Sequence, residues 1–214
     1  AQQGLGEKAL ALSAIGKAIE IAPERNEFAM VRSVMLLGEA DLAAAQSGLM
    51  DTLALNPNQI ESYVALIHIA LAQKNIPEAR RLLRLVERVN ADNEHVQLAK
   101  GAVLQAEGDL DEALKHFTRA SEINPSNPLA LSSLGMLYLV KDMPAFAEQA
   151  LKRAYALAPG NVTMLRALLQ SQLKQEQFAQ AENTADEILR HAPRPAVGDR
   201  RSRSACVRWA RAPR

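Results

Sequence analysis

Pro23, Pro57, Pro125, Pro159 and Pro193 stand on a single arithmetic ladder whose step is 34 residues, and the one empty rung is filled by Ala91. A fixed period of this length, kept without insertion, means that one supersecondary unit recurs along the chain. Such a unit cannot bury its apolar face alone, so neighbours must stack and share a continuous core. The period therefore predicts an array of repeated helical units. It constrains architecture far more tightly than function.

Other positions keep the same step. Twelve residues before each rung stand Ala11, Ala45, Ala79, Ala113, Ala147 and Ala181. Eight before stand Ile15, Leu49, Leu83, Phe117, Leu151 and Ala185, and five before stand Ala18, Thr52, Val86, Ala120, Ala154 and Ile188. Spacings of four and then three residues place these rungs on one stripe of a helix. An alanine at every copy predicts a crossing where two helices approach too closely for a larger side chain. An earlier segment of each unit supplies the facing surface, best seen in Leu131, Leu134, Gly135 and Tyr138.

The chain resembles a tetratricopeptide repeat protein, whose unit follows W-x2-L-G-x2-Y…A-x3-F…P. The clearest copy has Leu131 at the tryptophan place, then Leu134, Gly135, Tyr138, Ala147, Leu151 and Pro159. The copy before it keeps Gly101, Ala113, Phe117, Ala120 and Pro125, with Gln97 and Lys100 at the first two places. In the last copy Leu169 replaces the glycine and Gln172 the tyrosine. The resemblance implies an all-α, right-handed superhelical solenoid of helix-turn-helix repeats, about five and a half units, over residues 1–193. The full units are expected at 26–57, 60–91, 94–125, 128–159 and 162–193, preceded by a half unit whose second helix runs roughly from Gly6 to Ile21.

Turn chemistry marks the joints. Within units, Gly38-Glu39-Ala40-Asp41, Lys74-Asn75-Ile76-Pro77, Gly108-Asp109 and Lys141-Asp142-Met143-Pro144 offer Asp or Asn as helix caps and proline for the first helical turn. Between units, Asn56-Pro57-Asn58, Asn124-Pro125-Ser126-Asn127-Pro128 and Pro159-Gly160-Asn161 stop one helix and start the next.

No catalytic constellation emerges. Residues 1–193 lack cysteine, so disulfides and thiolate chemistry are excluded there. His68, His95, His116 and His191 fall at different offsets, and none pairs at metal-ligand spacing. Ser132 and Ser133 have no nucleophile-elbow context, and phosphate-binding glycine loops are missing. Asp109, Asp111 and Glu112 open a helix, where carboxylates favour the helix dipole. The expectation is a protein that is not an enzyme and needs no cofactor or metal.

What the resemblance implies is a binding surface. In this family the first helices line a concave groove, with contacts from the second, fifth, ninth, twelfth and thirteenth positions of each unit. Carried onto this chain, the groove residues are Met30, Val34, Leu37, Val64, His68, Leu71, Leu98, Ser132, Met136, Leu139, Arg166 and Gln170. The lysines and asparagines with which chaperone-binding members clamp a terminal carboxylate are missing from the fifth and ninth positions as far as Ala102. The stripe is mostly apolar up to Val140 and polar to basic beyond, which suits an amphipathic helix or extended apolar segment of a protein partner. The expected function is a non-catalytic interaction scaffold. The alternative is a docking or regulatory region of a larger enzyme, for example a transferase, whose catalytic domain lies outside this chain.

The tail has a different texture. Residues 194–214 hold seven arginines and one aspartate, hence +6, so the whole-chain charge of +1 leaves residues 1–193 at about −5. Trp209 and Cys206, each the only one of its kind, also lie here. This segment reads as disordered, or as vector-derived or out-of-frame sequence, with an arm for nucleic acid or an anionic surface as the alternative. The near-neutral to acidic body argues against nucleic acid. The half unit at the start suggests a fragment or processed product, and incomplete terminal repeats could support self-association. No membrane span is expected in this stretch, and the texture suggests a bacterial cytoplasm or periplasm.

Overall fold

The computed structural model describes residues 14–15 and 42–191. Residues 42–191 form nine helices with no strand: α1 (Leu42–Leu55), α2 (Ile60–Ala72), α3 (Ile76–Asn90), α4 (Glu94–Glu107), α5 (Leu110–Ile123), α6 (Pro128–Val140), α7 (Pro144–Leu157), α8 (Val162–Lys174) and α9 (Phe178–His191). The pairs α2 and α3, α4 and α5, α6 and α7, and α8 and α9 are each two helices joined by a short turn. The described residues fall into two compact units that divide inside α5, between Ala113 and Leu114. The half unit, most of its successor's first half and the arginine-rich tail lie outside the described residues.

Among the described residues the alanine rung is buried. Ala45, Ala79, Ala113 and Ala147 are fully buried, and Ala181 nearly so. Seven residues further, Thr52, Val86, Ala120 and Ala154 are again without exposure, while Ile188 is half-buried. Gly135 explains why the alanine cannot grow. A Cβ built on Gly135 would lie 2.5 Å from Leu151 Cγ and 3.3 Å from the Ala147 carbonyl oxygen. The Leu151 side chain and the Ala147 carbonyl of α7 thus lie directly against the Gly135 backbone of α6, and a larger residue there would have to displace them.

In the first unit, α2 packs against α1, α3 and α4. Its core joins Leu49, Leu66, Ile67, Leu83, Val86, Val96 and Val103. In the second unit, α6 packs against α7, and α8 against both α7 and α9. Leu139, Ala147, Leu151 and Leu168 form one cluster there, and Leu131, Ala154 and Met164 another.

The turns inside the units obey a rule that residue identity hides. Lys74, Gly108, Asp142 and Glu176 stand 34 residues apart, and all adopt positive φ, at 57°, 89°, 57° and 59°. Each closes a first helix in the same way: the next residue's N–H reaches back to the carbonyl of Ala70, Leu104, Tyr138 or Gln172 at 2.8–3.0 Å. This is a left-handed C-terminal cap, which glycine adopts freely and other residues adopt at a cost. At the turn after α6, Asp142 takes the left-handed place and Met143 becomes the N-cap without a side-chain bond. The aspartate expected as a cap is therefore used differently there, whereas Asn75 and Asp109 do cap, accepting from Glu78 N and Glu112 N.

Between units, asparagine rather than proline carries the joint. Asn56, Asn90 and Asn124 each accept a backbone N–H two residues on, at 3.1–3.2 Å. Asn93, Asn127 and Asn161 then cap the following first helices, accepting from His95, Leu129 and Thr163 at 2.8–3.0 Å. Hence Ala91 fills the proline rung without loss of the turn. Gln59 occupies the same capping rung and makes no side-chain cap.

Candidate functional site

The first helices α2 and α4 lie side by side in one unit, as do α6 and α8 in the other. On α2, α6 and α8 one row is open to solvent, whereas on α4 only Ala106 is exposed. On α6 the row is Leu129, Met136 and Val140, with exposures of 51%, 39% and 59%. These residues are spaced by seven and four, hence on one face of the helix. On α8 the exposed row is Thr163, Arg166, Gln170 and Lys174. On α2 it is Glu61, His68 and Ala72.

The structure sorts the residues expected to line a groove. Met30, Val34 and Leu37 lie outside the described residues. His68, Met136 and Gln170, at ninth positions, are exposed, as is Arg166, whereas Ala102 at the ninth position on α4 is half-buried. Val64 and Leu71 are half-buried and pack against the core of the first unit. Leu98 is buried at 5% exposure, and Leu139 belongs to the cluster with Ala147, Leu151 and Leu168. Ser132 is buried, and its hydroxyl donates to the Leu129 carbonyl at 3.0 Å. On α6 the second, ninth and thirteenth positions share the outward face, which leaves the fifth and twelfth, Ser132 and Leu139, turned into the packing, whereas on α8 the fifth position, Arg166, stays exposed. Leu129 and Val140, at the second and thirteenth positions of their unit, are exposed, as is Lys174 at the thirteenth position on α8.

Two electrostatic details accompany these rows. His68 reaches solvent, but the surrounding side chains strip enough water from its imidazole to hold the pKa below the ordinary value. Lys174 is ion-paired with Asp142, whose carboxyl is held below its usual range chiefly by that hydrogen bond. Nothing here assembles a nucleophile with a base. Among the described residues no group of three or more His, Cys, Asp or Glu could hold a metal ion. Nor is any described helix long and apolar enough to cross a membrane.

Sequence and structure comparisons agree with this architecture. A family model described as a TPR repeat matches residues 101–141. The peroxisomal targeting signal receptor of Candida glabrata is 32% identical over 83 residues, which is 39% of this chain and 14% of that protein. The chain spans less than half the length of each of the curated relatives it matches. Among solved structures, the APC/C hetero-tetramer Cut9–Hcn1 matches with a TM-score of 0.80 at 17% identity, over 97% of this chain and 40% of that one. YrrB, described as a TPR protein with an unusual peptide-binding site, matches with a TM-score of 0.55 at 18% identity, over 92% of this chain and 98% of that one. Residues 101–141 match a tetratricopeptide repeat, and the all-helical fold is of the kind such repeats build. Repeats of this class generally serve protein–protein interaction.

Proposed function

We infer that the chain is a non-catalytic scaffold that holds a peptide or helical segment of a partner protein against the outward rows of its first helices. One observation carries the reading: α6 leaves Leu129, Met136 and Val140 open to solvent in a single row. Three large apolar side chains aligned on one helix mark an interaction surface better than scattered exposure does. Methionine at the centre suits such a surface, because its unbranched side chain can repack around different partners. A preformed helical face also lowers the ordering cost of binding. The peptide-binding site named for YrrB supports the reading at the level of fold.

The test is capture of partners from a lysate by the full chain beside a Met136→Glu/Val140→Glu variant. Both residues are exposed, so helicity and melting should be unchanged while the captured protein is lost. A protein captured equally by wild type and variant refutes this surface. Leu71 is a poorer probe than the sequence suggests, because it packs on the core.

A further inference from the structure

The two pairs of first helices differ in charge as well as in apolar character. Between them α2 and α4 carry Glu61, Glu94 and Glu107 against a single cation, Lys100. In contrast α6 carries no charged residue, and α8 carries Arg166 and Lys174 with no carboxylate. These two helices, which carry no carboxylate of their own, sit in a body whose net charge is about −5, +1 for the chain less the +6 of the tail. They are therefore a local reversal of sign, with the apolar row of α6 along one side and the cations of α8 along the other. Arg166 is exposed. Lys174 already holds one carboxylate, that of Asp142, whose side chain is 80% exposed and so open to exchange with an incoming acid.

We propose that the outward face of α6 and α8 takes an acidic amphipathic segment of another protein, its apolar side chains along Leu129, Met136 and Val140 and its carboxylates against Arg166 and Lys174. The inference rests on the scaffold reading above and adds the chemistry of the partner. A segment with apolar anchors at helical spacing and Asp or Glu on the adjoining flank meets both rows at once. A basic segment of the same pattern would bring its cations against Arg166 and is disfavoured. Binding falls as salt rises, because the contacts with Arg166 and Lys174 are at the rim and are screened.

The experiment pans a displayed library of random peptides on the full chain, on Met136→Glu and on Arg166→Glu. Peptides enriched on wild type should combine apolar anchors with an excess of Asp and Glu. They should be lost on Met136→Glu and bind Arg166→Glu about tenfold more weakly. Enriched peptides that are apolar, show no acidic excess and are indifferent to Arg166→Glu, yet are lost on Met136→Glu, overturn the inference and leave the scaffold reading standing. Enrichment unaffected by Met136→Glu, or no enrichment on any of the three, overturns both.

Discussion

The same slot in the repeat is closed in opposite ways in the two units. In the first, Arg80 on α3 reaches Glu107 at the end of α4, with Nε donating to Oε1 at 2.7 Å and Nη2 to Oε2 at 2.5 Å. In the second, the residue two repeats on is Glu148 of α7, and the counterpart of Glu107 is Gln175. Here the carboxylate accepts: Gln175 Nε2 donates at 2.8 Å and Gln177 Nε2 at 3.2 Å, while Lys152 Nζ lies 2.6 Å from the other oxygen. Arg80 is well exposed, whereas Glu148 is buried at 8%. Each strap ties a second helix to the end of the next first helix. The comparison teaches that the repeat fixes where the strap falls, while its polarity and burial are free to vary. Burial then decides the energetics, since an exposed ion pair is screened and contributes little. A buried carboxylate with three donors is different, because deleting it removes charge-assisted hydrogen bonds held away from water.

The predictions follow from that contrast. The largest effect should be one the two units share. Leucine at Ala79 or at Ala147 overpacks the same helix crossing, and each should lower stability by roughly 1–3 kcal/mol in urea unfolding. A large loss at one site and none at the other would mean that the rung is not equivalent in the two units.

Next comes the strap itself. Glu148→Ala should cost about 1–2 kcal/mol by removing the charged acceptor shared by Gln175 and Gln177, although Gln175 Nε2 keeps the Pro144 and Ser171 carbonyls and Gln177 Nε2 keeps Gln175 Oε1. Arg80→Ala should be nearly silent, and equal losses would erase the comparison. The pH dependence sharpens it. Burial pushes the Glu148 carboxyl up, but the hydrogen bonds from Lys152, Gln175 and Gln177 outweigh it and hold the pKa below the ordinary value. A depressed folded pKa contributes stability that is complete above the unfolded value of about 4.3 and is lost as pH falls through the folded one. The stability gap between wild type and Glu148→Gln should therefore be constant near neutrality and shrink as acid is added below that value. A gap that does not change with pH would assign the effect to shape instead of charge.

Smaller changes test the turns. Glu176→Gly in the second unit and Lys74→Gly in the first should each raise stability by up to about 1 kcal/mol, because glycine meets no penalty at positive φ. Gly108 already holds that place, so Gly108→Ala should lose a comparable amount. Gln59→Asn should gain about 1 kcal/mol by restoring the cap that Asn93, Asn127 and Asn161 provide. Thermal melts of the single variants are sufficient readouts.

Much of the fold was legible in the chain before any coordinates. The alanine rung, the apolar rungs beside it and the asparagine joints all fell where the period put them, since each records a close crossing or an exposed turn that few residues satisfy. The left-handed rung was not legible, because Lys74, Asp142 and Glu176 have no shared chemistry beside Gly108. What unites them is a backbone conformation enforced by the helices on either side. The candidate surface was legible only in part. Among the positions that the family pattern assigns to the groove, His68, Leu129, Met136, Val140, Arg166 and Gln170 are exposed, but Leu98, Ser132 and Leu139 turn into the packing.

By itself, then, the sequence determined the repeat length, the helix boundaries and the positions where helices touch, because steric crossings and caps are local demands written in single residues. Only the tertiary structure decided which side chains remain outside. That outcome depends on how far each first helix is rotated against its neighbours, and a rotation of one residue exchanges a buried leucine for an exposed one. The same packing buried Glu148 and left Arg80 in water, although both occupy one place in the repeat.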